Sequence, residues 1–423
     1  MKVLIYTQYW TKGGIEKLIK YLVDGLNSSS EHFEIVILTE DVPDPAEQYV
    51  LPDSASVYFR NFTPFNEQNR EVLRTLALKI NPDVVVAMGS TRALYKMPRA
   101  LVGLPYPIVL SEHNTNTEIV RTFGNDYRFY NAVRNLADIN HVIFAEFAAD
   151  FAQTTKIRAV PNPIVQRKER ADVSEKSTNT IVHIGRYHLH QKQQDVLIRS
   201  FALVAEDYPT WQLSLYGGDW RNGRETLDKL ITQHGLEDRI KLNDSIDNVA
   251  EVLSDSSFLA FPSSYEGFGL VVGEALSVGL PVLAFEQCDG VNQLVKDGIN
   301  GVLVSGSVKD ISAFAGGLRS LMGSHSARMN MAKNAPSSVS EFSLERFISG
   351  WREILKESYL LKGKNTLMDC SPMEIDYIDL VASGLLFDQN RRNAQAARKV
   401  EKIKRLFSRL GLEPLSKRLS SKL

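Results

Sequence analysis

The stretch EGFGLVVGE, Glu266 to Glu274, places two carboxylates eight positions apart, with Gly267, Phe268 and Gly269 directly after the first. A short apolar segment, 258–261, precedes it and reads as a strand; Pro262 to Tyr265 reads as a turn. Residues 270–278 read as a helix stopped by Gly279. Glu266 is therefore expected on a strand-to-helix loop and Glu274 inside the helix that follows. Glycines there let bare backbone approach a ligand at a helix N-terminus, where anions are favoured. One carboxylate to accept hydroxyl protons, amides to receive phosphate and a second carboxylate behind them suit a sugar nucleotide. A glycine-rich turn with two solvated glutamates is the other reading of the same residues.

Further candidates follow other strand-like segments. Arg186 ends the run His183-Ile184-Gly185-Arg186, and Lys192 lies beyond it. Cations on such a loop would neutralise a leaving diphosphate. Gly13 and Gly14 open the first helix; a single glycine pair does not make the G-x-G-x-x-G dinucleotide fingerprint. His113, in Ser111-Glu112-His113-Asn114, sits at a strand's carboxyl end, where it could hydrogen-bond a hydroxyl or place an acceptor; a buried structural histidine is the alternative. Gly217 belongs to a second Gly-rich strand end, Tyr216-Gly217-Gly218-Asp219. The chain has no Asp-x-Asp, no P-loop, no G-x-S-x-G elbow and no His/Cys/Asp cluster with metal spacing.

The Glu266–Glu274 stretch resembles the E-x7-E motif of retaining glycosyltransferases of the GT-B class, specifically family 4, and the other elements fall in that family's order. The resemblance covers roughly residues 1–362 and is most specific over 181–304. It implies transfer of a sugar from a nucleotide sugar, with UDP the expected carrier, to an acceptor hydroxyl. A lipid-linked oligosaccharide of a bacterial surface polysaccharide is the expected acceptor. By the same resemblance the catalytic set is Glu266, Arg186, Lys192 and His113. Arg186 and Lys192 grip the diphosphate, Glu266 meets the donor sugar's hydroxyls and His113 lines the sugar or acceptor site. Gly13, Gly14, Gly217, Gly267, Phe268, Gly269 and Glu274 form the donor-binding set, with Glu274 on the ribose. Five residues separate Arg186 from Lys192, where the family commonly has four. No cofactor and no metal are expected, because the two cations stand in for one. A GT-B sugar-nucleotide epimerase or phosphorylase is one alternative, and a catalytically silent membrane-associated scaffold another.

The elements that must position these residues can be read from the chain's rhythm. With 423 residues, the chain is too long for one ordinary core. Strand-like segments at 2–7, 33–38, 83–88, 108–111 and 141–144 alternate with helical ones, the first of them at 14–26. A polar linker is expected over 166–179. The alternation then restarts with strands at 180–185, 212–216, 240–242, 258–261, 281–284 and 301–304, and helices at 193–206, 223–234, 270–278 and 307–322. The expected fold is α/β: two Rossmann-like, doubly wound parallel-sheet domains facing across a cleft, plus a helical C-terminal extension. The expected boundaries are an acceptor domain at 1–165, a donor domain at 166–341, a helix at 342–362 returning to the first domain and an extension at 363–423.

Two cysteines give no disulfide framework, and no apolar run approaches the ~20 residues that cross a bilayer. A cytoplasmic location is expected, and nucleic acid is not an expected partner. Residues 391–423 hold 11 Lys or Arg and two acids, a net of +9, against −10 for the remainder (38 bases, 48 acids). Ala396, Val400, Ile403, Phe407 and Leu410 form one helical stripe among those charges. This segment is expected to contact an anionic membrane surface; docking on the protein's own acidic body, or on a partner subunit, is the alternative.

Overall fold

The computed structural model describes residues 1–11, 13–41, 49–63, 65–89, 94–115, 117–119, 128–148, 156–173, 179–363, 375–379 and 381. The extension expected over 363–423, apart from those few positions, and the amphipathic stripe within it lie outside the described residues.

Two parallel sheets organise the molecule. The first holds β1 (Lys2–Tyr9), β2 (Glu34–Asp41), β3 (Ala55–Phe59), β4 (Val84–Gly89), β5 (Ile108–Glu112), β6 (Ile139–Val142) and β7 (Lys156–Ala159). Its order is β3-β2-β1-β4-β5-β6-β7. The second holds β8 (Thr180–Ile184), β9 (Gln212–Tyr216), β10 (Ile240–Asn243), β11 (Phe258–Phe261), β12 (Val282–Phe285) and β13 (Gly301–Val304), in the order β10-β9-β8-β11-β12-β13. Central strands such as β4 and β11 are buried along their whole length, which is why their sequences are continuous apolar runs rather than alternating ones. In both sheets the strand order reverses beside the first strand, between β1 and β4 and between β8 and β11. Such switch points open a crevice at the carboxyl ends of the strands.

The helices are α1 (Gly14–Asn27), α2 (Glu67–Ile80), α3 (Lys96–Leu101), α4 (Arg128–Asn135), α5 (Gln194–Ala202), α6 (Gly223–Gln233), α7 (Val249–Ser254), α8 (Leu270–Ser277), α9 (Val291–Leu294), α10 (Ile311–Gly323), α11 (His325–Ser338) and α12 (Leu344–Tyr359). The first sheet is covered on one face by α2, α3 and α4, and on the other by α1 and α12. α12 follows the second sheet in sequence yet packs Phe347, Trp351, Ile354 and Leu355 into the core that holds Leu22, Val23 and Leu26 of α1. Ser343 caps it, accepting from the Arg346 amide at 3.2 Å, and Lys356 and Arg352 both reach Glu31. Ile378 is fully buried against the opposite face of the first sheet, where Arg99 holds Asp379 through two hydrogen bonds of 2.9 and 2.7 Å.

Several elements depart from the sequence expectation. The strand expected at 141–144 is β6, two residues earlier, because Asp138 and the Ile108 amide start the β5–β6 pairing there. The edge strands β3 and β7, both largely exposed, and the helix α11 were not anticipated.

Candidate active site

The loops after β1, β5, β8 and β11 carry the candidate residues, and the crevice brings them together. α1 begins at Gly14, directly after its cap Gly13, and a Cβ on Gly14 would lie 3.2 Å from the Leu270 side chain on α8 of the other domain. At Gly267 a Cβ would lie 2.1 Å from the His113 carbonyl oxygen, so only glycine lets the β11 loop close on the end of β5. Gly269 caps α8 at φ +80°, a left-handed conformation that other residues adopt only with strain. The turn aims the first amides of α8 into the crevice, where the helix N-terminus favours an anion. Across the same contact, Thr117 donates to Asp289 at 2.6 Å.

Two ion pairs dominate the electrostatics. Lys192 Nζ lies 2.6 Å from Glu266 Oε1, and both side chains are mostly buried, at 15% and 10% exposure. The same ammonium sits 5.1 Å above the Phe261 ring. The second pair joins Lys17 on α1 to Glu274 on α8, one domain to the other. Burial pulls the Lys17 ammonium down, but Glu274 beside it more than offsets this and leaves the group above its ordinary value. The extra residue between Arg186 and Lys192 is absorbed by a tight turn, in which the Gln191 and Lys192 amides both donate to the His188 carbonyl at 3.0 and 2.8 Å. Lys192 thereby keeps its place against Glu266. The Arg186 guanidinium lies 5.1 Å from the centre of the Trp220 ring.

Glu16, in the first turn of α1, is buried at 6% exposure, and burial raises its carboxyl above the usual range although Arg186 opposes the rise. Cys288 is buried; burial first, then Glu266, pushes its thiol well up, so it is no thiolate nucleophile at neutral pH. His113 Nε2 lies 2.9 Å from Ser111 Oγ, and burial lowers its pKa to about 3, keeping the ring neutral.

The expected residues do not all take up equivalent positions. Glu266, Lys192, Gly267, Gly269, Glu274, Gly14 and His113 gather at the contact between the domains. Gly217 packs on the backbone of Gly185 beside Arg186. Gly13 caps α1. The Phe268 ring lies in an aromatic cluster, 5.6 Å from Phe144 and 5.7 Å from Phe342, so only its backbone is left to face a ligand. Glu16, Lys17 and Trp220 were missed. The first two had one trace in the sequence, charged residues in the opening turn of a helix that starts with a glycine pair; Trp220 had none.

Two doubly wound parallel-sheet domains that meet at a shared crevice are a GT-B fold. Residues 165–338, about two fifths of the chain, match the family model for glycosyl transferases group 1. An uncharacterized glycosyltransferase of Haemophilus influenzae is 26% identical over 320 residues, covering 73% of this chain and 87% of that protein. A GDP-mannose:cellobiosyl-diphosphopolyprenol alpha-mannosyltransferase of Xanthomonas oryzae pv. oryzae is 26% identical over 145 residues, 34% of this chain and 37% of its own length. Among solved structures, Anabaena HepE in complex with UDP and glucose superposes with a TM-score of 0.67 at 19% identity, over 84% of this chain and all of that one, a likeness of fold.

Proposed function

We propose that the chain is a retaining, family 4 glycosyltransferase that moves a sugar from a UDP-linked donor to an acceptor hydroxyl of a lipid-linked oligosaccharide in bacterial surface polysaccharide synthesis. The observation that carries this reading is the convergence of Arg186, the Lys192–Glu266 pair and the N-terminus of α8 on one inter-domain crevice. A departing diphosphate needs positive charge and amides where its own charge develops. Arg186 and Lys192 supply the first and the Gly267–Gly269 turn the second, so no metal is required. Glu266, relieved of Lys192 when the diphosphate takes that ammonium, accepts from the donor sugar's hydroxyls. Glu274 holds the ribose. The leaving phosphate itself assists deprotonation of the acceptor, so neither glutamate acts as a hydrolase acid or base. The alpha-mannosyltransferase with a diphosphopolyprenol acceptor favours retention and a lipid-linked acceptor, though its own donor is GDP-mannose; the fold neighbour in complex with UDP favours the UDP donor.

The acceptor's lipid places the work at a membrane surface, and the +9 segment 391–423 supplies the attraction. Near an anionic leaflet each base contributes about 1 kcal/mol, screened by salt. Among the described residues no helix is long and apolar enough to cross a membrane.

The test is a binding panel of UDP-, GDP- and ADP-sugars by thermal shift, followed by turnover of the stabilising donor with excess chelator. UDP-sugars should stabilise most, activity should survive chelation and the product's anomeric NMR signals should report retention. An inverted linkage, or loss of activity restored by manganese or magnesium, overturns the assignment. Deleting 391–423 should lower binding to anionic vesicles and leave turnover of a soluble acceptor analogue unchanged.

A further inference from the structure

His113 ends a chain of hydrogen bonds whose direction is set at its far end. The parallel register of β5 and β6 puts Ser111 opposite His141, and both are fully buried. His141 Nε2 lies 2.9 Å from the Val160 carbonyl oxygen, and His141 Nδ1 lies 2.8 Å from Ser111 Oγ. Ser111 Oγ lies 2.9 Å from His113 Nε2. Burial keeps both rings neutral, so each carries a single N–H. A carbonyl only accepts, so the His141 proton is on Nε2 and its Nδ1 is bare. The one proton of the Ser111 hydroxyl must then go to that Nδ1. The serine oxygen is left to accept, which requires a proton on His113 Nε2. His113 Nδ1 is therefore a bare lone pair. It is closed off from solvent and has no hydrogen-bond partner among the described residues. A buried acceptor without a donor is costly, and a ligand group that donates would satisfy it. The His113 backbone touches Gly267, next to Glu266.

We propose that Ser111 and His141 are positioning residues for the transfer: anchored on the Val160 carbonyl, they hold His113 in its Nε2–H tautomer and present Nδ1 to the substrate as an acceptor. The group that meets it must be a proton donor, a sugar hydroxyl, and a deoxy or O-methyl analogue at that position binds poorly. This rests on the reading of His113 as part of the sugar or acceptor site; the tautomer itself does not. Trp351 of α12 lies 4.7 Å from the His141 ring, so the helix that returns from the second domain backs the relay.

The test uses full-length protein labelled with 15N-histidine, in which eight histidines give long-range proton–nitrogen patterns that distinguish the tautomers. The His113 signals are assigned by their loss in His113→Gln. The expected result is Nε2–H for His113 and for His141, with the His113 Nδ1 resonance moving when the nucleotide sugar binds. Ser111→Ala should release His113 into a mixture of tautomers and lower kcat about tenfold, the worth of one hydrogen bond. KM for the donor should change less than threefold, and Ser111→Thr should restore both tautomer and rate. An Nδ1–H form of His113 in the unmutated protein overturns the relay, a measurement that needs no variant to fold. Reduced turnover in Ser111→Ala with an unchanged tautomer overturns it too. If the tautomers are as expected but the Nδ1 resonance is indifferent to a bound nucleotide sugar, the role in transfer fails. If no nucleotide sugar binds at all, the functional reading fails instead.

Discussion

At the scale of single residues, the Lys192–Glu266 pair decides how the empty site survives. Two charges taken most of the way out of water cost more than their attraction returns unless both stay paired. Removing one partner leaves the other uncompensated. Lys192→Met and Glu266→Gln should each lower stability by about 2–4 kcal/mol, toward the lower end for a pair that is still partly solvated. The double substitution should cost less than the sum of the singles. Urea unfolding of the four proteins checks this, and strict additivity would show that the two groups do not act as a pair. Each single variant should also lose about a hundredfold or more in turnover if, as proposed, the cation meets the diphosphate and the carboxylate meets the sugar. Such residues were legible in the sequence, since Glu266, Gly267, Gly269 and Glu274 lie within nine positions, across one strand-to-helix loop and the helix it opens. Ser111 and His141 as a pair were not legible, being 30 positions apart and joined only by the β5–β6 register.

At the scale of elements, the central strands could be read because burial on both faces forces continuous apolar sequence. β3 and β7 could not, because an exposed edge strand such as Lys156–Ala159 needs no apolar pattern. α11 has only a weak apolar stripe and contains Pro336; its hold comes from Met331 and Ala335 in the core, from the Ser324 cap and from Arg328, which donates to the Leu321 and Met322 carbonyls and lies 5.0 Å from the Trp211 ring centre. The sheets also carry a titration that only burial reveals. His141 on β6 and His183 on β8 are fully buried, and desolvation lowers each pKa to about 4, against 6.5 for the exposed ring. A folded pKa below the unfolded one means stability that is present above pH 6.5 and lost as the pH falls toward 4. Between those limits each histidine contributes a slope of up to about 1.4 kcal/mol per pH unit, nearly 3 for the two together. Denaturant midpoints should therefore fall steadily from pH 6.5 to 4.5. A flat profile there would mean that both rings bind their proton as readily in the folded state as in the unfolded one, and half the slope that one of them does.

At the scale of the whole molecule, the two domains meet through the same groups that are assigned to the donor. Lys17 reaches across from α1 to Glu274, the carboxylate proposed for the ribose, and a Cβ on Gly14 would crowd Leu270 at 3.2 Å. If Glu274 holds the ribose as proposed, this ion pair acts as a clasp between the domains that an arriving nucleotide must loosen. A pair at 23% and 17% exposure is worth about 1 kcal/mol, or about fivefold in the ratio of closed to open forms. Lys17→Ala should open the ligand-free protein, raising its radius of gyration in small-angle scattering at low salt. Raising the salt should carry the unmutated protein toward the same value, because screening weakens the clasp. A saturating UDP-sugar should close both, since the diphosphate bridges the Arg186 loop and the α8 N-terminus without help from Lys17. The variant should also bind that nucleotide a few-fold more tightly per closed molecule, as Glu274 no longer has to leave a partner. Identical scattering curves for the two ligand-free proteins at low salt would show that the apolar contacts alone hold the domains together and that Lys17 is no clasp.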